Sequence, residues 1–149
     1  LAGHVPMHTD RAFADTLVRF GDCAHTAAEM VAGIKDKEKQ MATITSIYRA
    51  LARFFWFTVE FGLMNPNAHR TAIRRVSDTK IYGAGIVSSV GEIPHSLSSV
   101  VKKEPFIPEV VSQRVFDIHH MQDTLFEITS FDELESEFRR WASEKGLLA

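Results

Sequence analysis

Apolar positions along this chain recur mostly at helical spacing. Phe13, Leu17 and Phe20 lie four and three residues apart, which puts them on one helix face. Thr9-Asp10, just ahead of them, reads as a helix start. The pattern weakens at Gly21, resumes through Ala24–Val31 and stops at Gly33. Lys35–Gln40 is charged and reads as a solvated first turn or linker. Met41, Ile44, Tyr48, Leu51, Phe55 and Thr58 then repeat at threes and fours and predict the clearest helix of the chain. Gly62 and Asn65-Pro66 end it. Asn65–Thr79 reads as a loop, Lys80–Tyr82 as a short strand and Gly83-Ala84-Gly85 as a break. Ile86–Leu97 predicts a short helix in spite of Pro94, Lys102–Pro108 a linker and Pro108–Gln113 a helical turn. Thr124–Thr129 predicts a strand. Ser130 with Glu133 three residues on is a capping box, opening a last helix with Leu134, Phe138 and Trp141 on its inner face. The fold class is therefore mainly α with small β elements.

Composition narrows the function classes. The 149 residues fit one domain, with 45% hydrophobic and 24% charged residues, which excludes general disorder. Seventeen basic against nineteen acidic residues is not the footprint of a nucleic-acid binder. The one cysteine, Cys23, excludes an intramolecular disulfide and a multi-cysteine zinc site. No apolar run approaches the ~20 residues that span a bilayer, and the N-terminus has no signal-peptide pattern. A cytoplasmic protein with neither nucleic-acid nor membrane partners is expected. The chain opens on Leu1 in an apolar Leu-Ala-Gly-His-Val-Pro string, which reads as the middle of a longer polypeptide.

Glu60 is the first candidate for chemistry. On a helix its neighbours one turn back are Trp56 and Phe57, so its carboxylate is expected to be desolvated. A desolvated carboxylate needs a partner. Spacing alone leaves a cation, Arg53, or a proton open, and a plain structural ion pair is the simplest outcome. His4 lies ahead of the first helix start and His8 one turn later, beside Thr9-Asp10, but no spacing rule pairs His4 with Glu60. His119 and His120 are adjacent, would face opposite ways in a strand, and could not chelate together. His25, His69 and His95 lack suggestive neighbours. Gly83-Ala84-Gly85 lacks the Gly-Lys-Ser/Thr ending of a phosphate loop, and Ser88 and Ser89 lack a nucleophile elbow. Cys23 reads as a small buried apolar residue. Arg74-Arg75 and Lys102-Lys103 read as solvated basic pairs.

Three strings in order change this picture: Gly3-His4-Val5-Pro6, Trp56-Phe57-Thr58-Val59-Glu60-Phe61-Gly62, and Tyr82-Gly83-Ala84-Gly85-Ile86-Val87-Ser88-Ser89 with Glu92 following. Together they closely resemble the pterin-dependent aromatic amino acid hydroxylases, nearest to the bacterial phenylalanine 4-hydroxylase branch. The resemblance covers nearly the whole chain and is faint across Asn65–Thr79 and Ser98–Gln113.

The resemblance implies the hydroxylase catalytic-domain fold, with residues 1–149 as its C-terminal portion, incomplete at the N-terminus. It implies Fe(II) held by two histidines and a glutamate, a facial triad with open positions. His4 matches the second histidine of a His-Glu-x-x-Gly-His motif and Glu60 the glutamate. The motif's first histidine would stand just before Leu1. Trp56 matches an aromatic lining the substrate ring, and Gly85 and Ser88 match residues against the substrate amino acid. Ser88 would also brace the first histidine, and Glu92 matches a polar residue behind the site. Phe55 and Phe116 stand where members carry Tyr. The implied activity of the parent is hydroxylation of an aromatic amino acid by dioxygen with tetrahydrobiopterin, with phenylalanine converted to tyrosine. The chain by itself is expected to be inactive, to bind iron weakly if at all, and to expose apolar surface. The parent is expected to be a monomer or small homo-oligomer. The alternative is a non-catalytic relative that binds a partner with the same fold.

Overall fold

The structure, a computed structural model, describes residues 3–148. Helix α1 (Arg11–Ala32) starts where the Asp10 carboxylate accepts from the Phe13 N–H at 3.1 Å. It runs through Gly21 without the predicted interruption. Gly21 faces open space, and its cost of about 1 kcal/mol relative to Ala is offset by the burial of Phe20 and Cys23 on either side. Asp36 caps α2 (Lys37–Phe55) through the N–H groups of Glu38 and Lys39.

The inner face of α2 differs from the predicted stripe. Ala50, Leu51 and Phe54 are buried, whereas Met41, Tyr48 and Phe55 face solvent. Two apolar stripes run down this helix, and α1 and the last helix, α6 (Phe131–Glu144), select the one centred on Phe54. Phe54 meets Phe138 edge-on at 5.1 Å and Trp141 at 4.7 Å, and Phe20 meets Phe138 at 4.6 Å. Each such buried ring contributes roughly 1.5–3 kcal/mol over its exposed state. Ser130 caps α6 through the Glu133 N–H, and the Glu133 carboxylate reaches back to the N–H and hydroxyl of Thr129.

Four short strands form one sheet in the order β2-β1-β4-β3. They are β1 (Leu63–Met64), β2 (Lys80–Ile81), β3 (Lys102–Pro105) and β4 (Thr124–Ile128). Strands β1 and β2 pair antiparallel, while β4 lies parallel to β1 on one side and β3 on the other. All of β4 is buried. Phe126 and Ile128 join the helical core, and Leu125 packs with Leu63, Ile86 and Val101 on the opposite face.

Two sequence expectations give way here. Lys102–Pro108 is not a linker: its first part is strand β3, an edge strand whose lysines and terminal proline suit an exposed edge. Gly83-Ala84-Gly85 is not a break but opens a short helix, α3 (Ala84–Val87). The predicted Ile86–Leu97 helix is divided between α3 and α4 (Glu92–Leu97). The helical turn after β3 is α5 (Pro108–Val111). Val90 and Val100, which flank α4, are 93% and 81% exposed. No helix among the described residues is long and apolar enough to cross a membrane.

Candidate active site

Helix α2 changes its winding just before the candidate carboxylate. After Phe55 the chain makes one π turn, Trp56–Glu60, closed by the Phe61 N–H donating to the Trp56 carbonyl at 2.8 Å. One added residue turns every later side chain by about 100° around the axis. Phe57, Thr58 and Val59 stay in the core, and the Thr58 hydroxyl donates to the Phe54 carbonyl. Glu60 is thereby delivered to the rim.

There it meets His4. The 3₁₀ turn Val5–Thr9, with Pro6 in its first turn, starts at His4. The His4 Nε2 donates to Glu60 Oε1 at 2.8 Å, across 56 residues of sequence. The side chains are 35% and 22% exposed, so the pair is desolvated in part and still reachable. Arg53, the alternative partner, donates instead to the Ser112 carbonyl at 2.9 Å.

The segment Tyr82–Gly85 straps this corner down. A Cβ on Gly83 would lie 2.5 Å from the Glu60 carbonyl oxygen, and one on Gly62 would lie 2.1 Å from the Tyr82 ring. Only glycine permits that approach. Gly85 lies against Glu60 itself. Tyr82 is fully packed between Phe13 and Phe131, and its hydroxyl has no partner among the described residues. Burial pushes its pKa up, helped by the nearby Glu133 charge. The Ser88 hydroxyl donates to the Ala84 carbonyl at 2.6 Å, and a Cβ on Gly3 would reach Ser88 Oγ at 2.9 Å. Ser88 therefore sits beside the segment that carries His4. Glu92 opens α4, half-buried, with its N–H toward the Ser89 hydroxyl.

Trp56 is sandwiched. Phe61 stacks on it at 4.5 Å and 29°, and Phe116, from the loop after α5, stacks at 4.6 Å and 11°. Its indole Nε1 is buried without a hydrogen-bond partner among the described residues.

The other histidines stay apart from this corner. His69 pairs with Glu133, His120 with Asp117, His25 with Glu29, and His95 donates to the Gln122 carbonyl. Cys23 is fully buried, and burial pushes its thiol up to about 11, so it is an inert thiol. The basic pairs are not simply solvated. Arg74 Nε binds Glu127 Oε2 at 2.6 Å, and Lys103 donates to the Ser98 carbonyl at 2.7 Å. Glu127 is wholly buried on the central strand, and its second oxygen accepts from the Thr79 hydroxyl at 2.6 Å. Sequence reading misses this residue, because a carboxylate at an alternate strand position reads as solvent-facing. It gives Gly62 and Tyr82 no part in the site, although both stand inside the family's motif strings.

An imidazole nitrogen and a carboxylate oxygen in contact are two members of the donor set that a two-histidine, one-carboxylate iron site uses. The pair fits that group. Among the described residues no cluster of three His, Cys, Asp or Glu side chains converges. A surface cleft of about 640 Å³ runs along the outer face of α2 from Glu38 to Arg53 and shares no residue with the His4–Glu60 corner.

Comparison with known proteins identifies the family. The profile of the biopterin-dependent aromatic amino acid hydroxylases matches residues 1–146. A probable aromatic amino acid hydroxylase of Chlamydia pneumoniae is 31% identical over 99% of this chain and 39% of its own length. Tyrosine 3-monooxygenase of Schistosoma mansoni is 31% identical over 98% of this chain and 26% of its own length. Phenylalanine hydroxylase of Chromobacterium violaceum, solved with bound Fe(III), superposes with a TM-score of 0.69 at 30% identity, over 98% of this chain and 46% of that one. The same enzyme has been solved with iron and phenylalanine, and with iron(III) and oxidised cofactor 7,8-dihydrobiopterin. The chain thus spans less than half the length of each of these relatives. With the motif strings, the fold and the profile in agreement, the chain belongs to the biopterin-dependent aromatic amino acid hydroxylases.

Proposed function

We propose that this chain is the C-terminal portion of one catalytic domain, and that its parent hydroxylates an aromatic amino acid, phenylalanine to tyrosine, using dioxygen. The observation that carries the reading is the His4–Glu60 contact at 2.8 Å, made by two residues that occupy ligand positions of the family motif. His4 and Glu60 would hold Fe(II). When bound, the metal with tetrahydrobiopterin would supply the activation of dioxygen, one of whose atoms enters the ring.

The remaining residues hold and shape. The Gly83 and Gly85 contacts fix the Glu60 backbone and so aim its carboxylate. Trp56 offers an apolar edge to the substrate ring, and the Phe61 and Phe116 rings against it keep water from that side. Gly85 leaves room beside the carboxylate for the amino acid. Ser88, beside Gly3, would bind that amino acid and brace the histidine that precedes the chain in the family motif. Glu92 supports this wall from behind. Phenylalanine is favoured as substrate by the likeness to the Chromobacterium violaceum enzyme.

Product analysis decides it. The full-length parent, given phenylalanine, tetrahydropterin and ferrous iron, should form tyrosine. A tryptophan-derived product alone would overturn the substrate, and no product from any aromatic amino acid would overturn the enzyme. The isolated chain supplies two of the three ligands, and a ferrous titration of it should show no tight site.

A further inference from the structure

We infer that Phe116 is a specificity-determining residue of this site: its ring occupies one face of Trp56 and limits the aromatic substrate to a single ring. The inference rests on the proposed function and deepens it.

Two rings centred about 4.5 Å from one indole, both stacked on it, leave it no free face. The two are held differently. Phe61 directly follows the π turn, and its N–H is tied to the Trp56 carbonyl at 2.8 Å, so its place is fixed by the backbone that places Trp56. Phe116 comes from the irregular stretch between α5 and β4. Its neighbours Val115, Asp117 and Ile118 are all exposed. The ring itself is half-buried, held edge-on by Phe57 at 6.2 Å and parallel to Trp56 within 11°. A near-parallel phenyl on an indole is the arrangement an aromatic ligand ring would itself adopt there.

Phe116 thus takes the space that an aromatic amino acid would otherwise use against Trp56. A substrate ring is left the edge of the indole, and a bicyclic side chain needs the volume that Phe116 fills. Phe116 carries no hydroxyl, so its effect is one of shape. Filling or emptying an apolar pocket by a whole ring is at the upper end of what such pockets discriminate, so a tenfold or larger change in preference is expected.

The test uses the full-length polypeptide to which the chain belongs, with Phe116→Ala, Phe116→Leu and Phe116→Tyr variants. Calorimetric binding of L-phenylalanine and of L-tryptophan is measured beside kcat/KM for each. In Phe116→Ala both ratios should shift toward tryptophan by about tenfold or more. Phe116→Leu should shift part of the way, and Phe116→Tyr should keep the parent ratio. A merely structural Phe116 would weaken both amino acids together with the ratio unchanged, which overturns the inference and leaves the proposed function standing. Should Phe116→Ala not fold, the Phe116→Leu ratio decides between the same two outcomes. If no variant, parent included, binds or hydroxylates any aromatic amino acid, the proposed function falls and takes this inference with it.

Discussion

A Cβ placed on Gly85 would lie 3.0 Å from the Glu60 carbonyl oxygen and 3.2 Å from Glu60 Oε2. The resemblance sets Gly85 against the substrate, and in the structure it lies against the Glu60 carbonyl, the Phe61 ring and the Glu60 carboxylate. Gly85→Ala should therefore displace Glu60 by a few tenths of an ångström while the helices stay folded. Ferrous affinity of the full-length protein should fall about 10–100-fold, as for losses of groups that orient a ligand. Calorimetry with ferrous iron, beside an unchanged far-UV circular dichroism spectrum, checks this. Unchanged affinity would mean the contact does not aim Glu60.

Tyr82 and Gly62 should respond in opposite directions. The Tyr82 hydroxyl is buried and unpaired, so Tyr82→Phe removes a desolvation penalty of about 1–3 kcal/mol. It should raise the urea midpoint. Gly62→Ala would drive a methyl into the Tyr82 ring and the Thr58 carbonyl at 2.3 Å. Overpacking of this kind costs about 1–3 kcal/mol or more. The double variant should stay destabilised, since the ring remains.

The buried Glu127 carboxylate fastens the 65–79 loop to the sheet through Arg74 and Thr79. Arg74→Met strands that charge, and about 3–5 kcal/mol of stability should be lost. Adding Glu127→Leu should restore most of it. Chemical denaturation of the single and double variants measures the difference, and additive losses would show that the two side chains do not act as a pair.

Alkali should destabilise the fold. Burial raises the Cys23 thiol from 9.0 to about 11 and also pushes the Tyr82 phenol upward from its ordinary value of 10.0. Between pH 9 and 11 the unfolded chain releases these protons before the folded chain does. Stability then falls as pH rises, because the unfolded state binds fewer protons. The urea midpoint should drop between pH 8 and pH 10.5. Cys23→Ala with Tyr82→Phe should flatten that drop.

Much of the fold is legible where local chemistry and packing agree. Asp10 and Ser130 cap α1 and α6 as their sequence positions suggest. The fold is less legible where tertiary contacts choose between local options. The Phe54 stripe of α2 competes with the Met41–Tyr48–Phe55 stripe, and only the arrival of α6 decides between them. Strand β3 hides behind two lysines and a proline, since an edge strand need not look hydrophobic. At the site, neither the His4–Glu60 contact nor the π turn follows from spacing. The resemblance points to both residues, and the geometry brings them together. Glu127 escapes notice because its partners Arg74 and Thr79 lie about 50 residues away in the chain.

The order β2-β1-β4-β3 sets the schedule on which the molecule can assemble. The strand in the middle is the last to be synthesised, so β1 and β3 have no shared partner until residues 124–128 leave the ribosome. Until then the antiparallel pair β1–β2, two residues to a strand, stands alone, too short to persist in water. Closing β4 between two parallel neighbours is a late, long-range step, of the kind that folds slowly and leaves edges exposed while it waits. The corner that presents His4 and Glu60 precedes β4 in the chain, yet β1, which follows Glu60, gains its parallel neighbour only when β4 is in place.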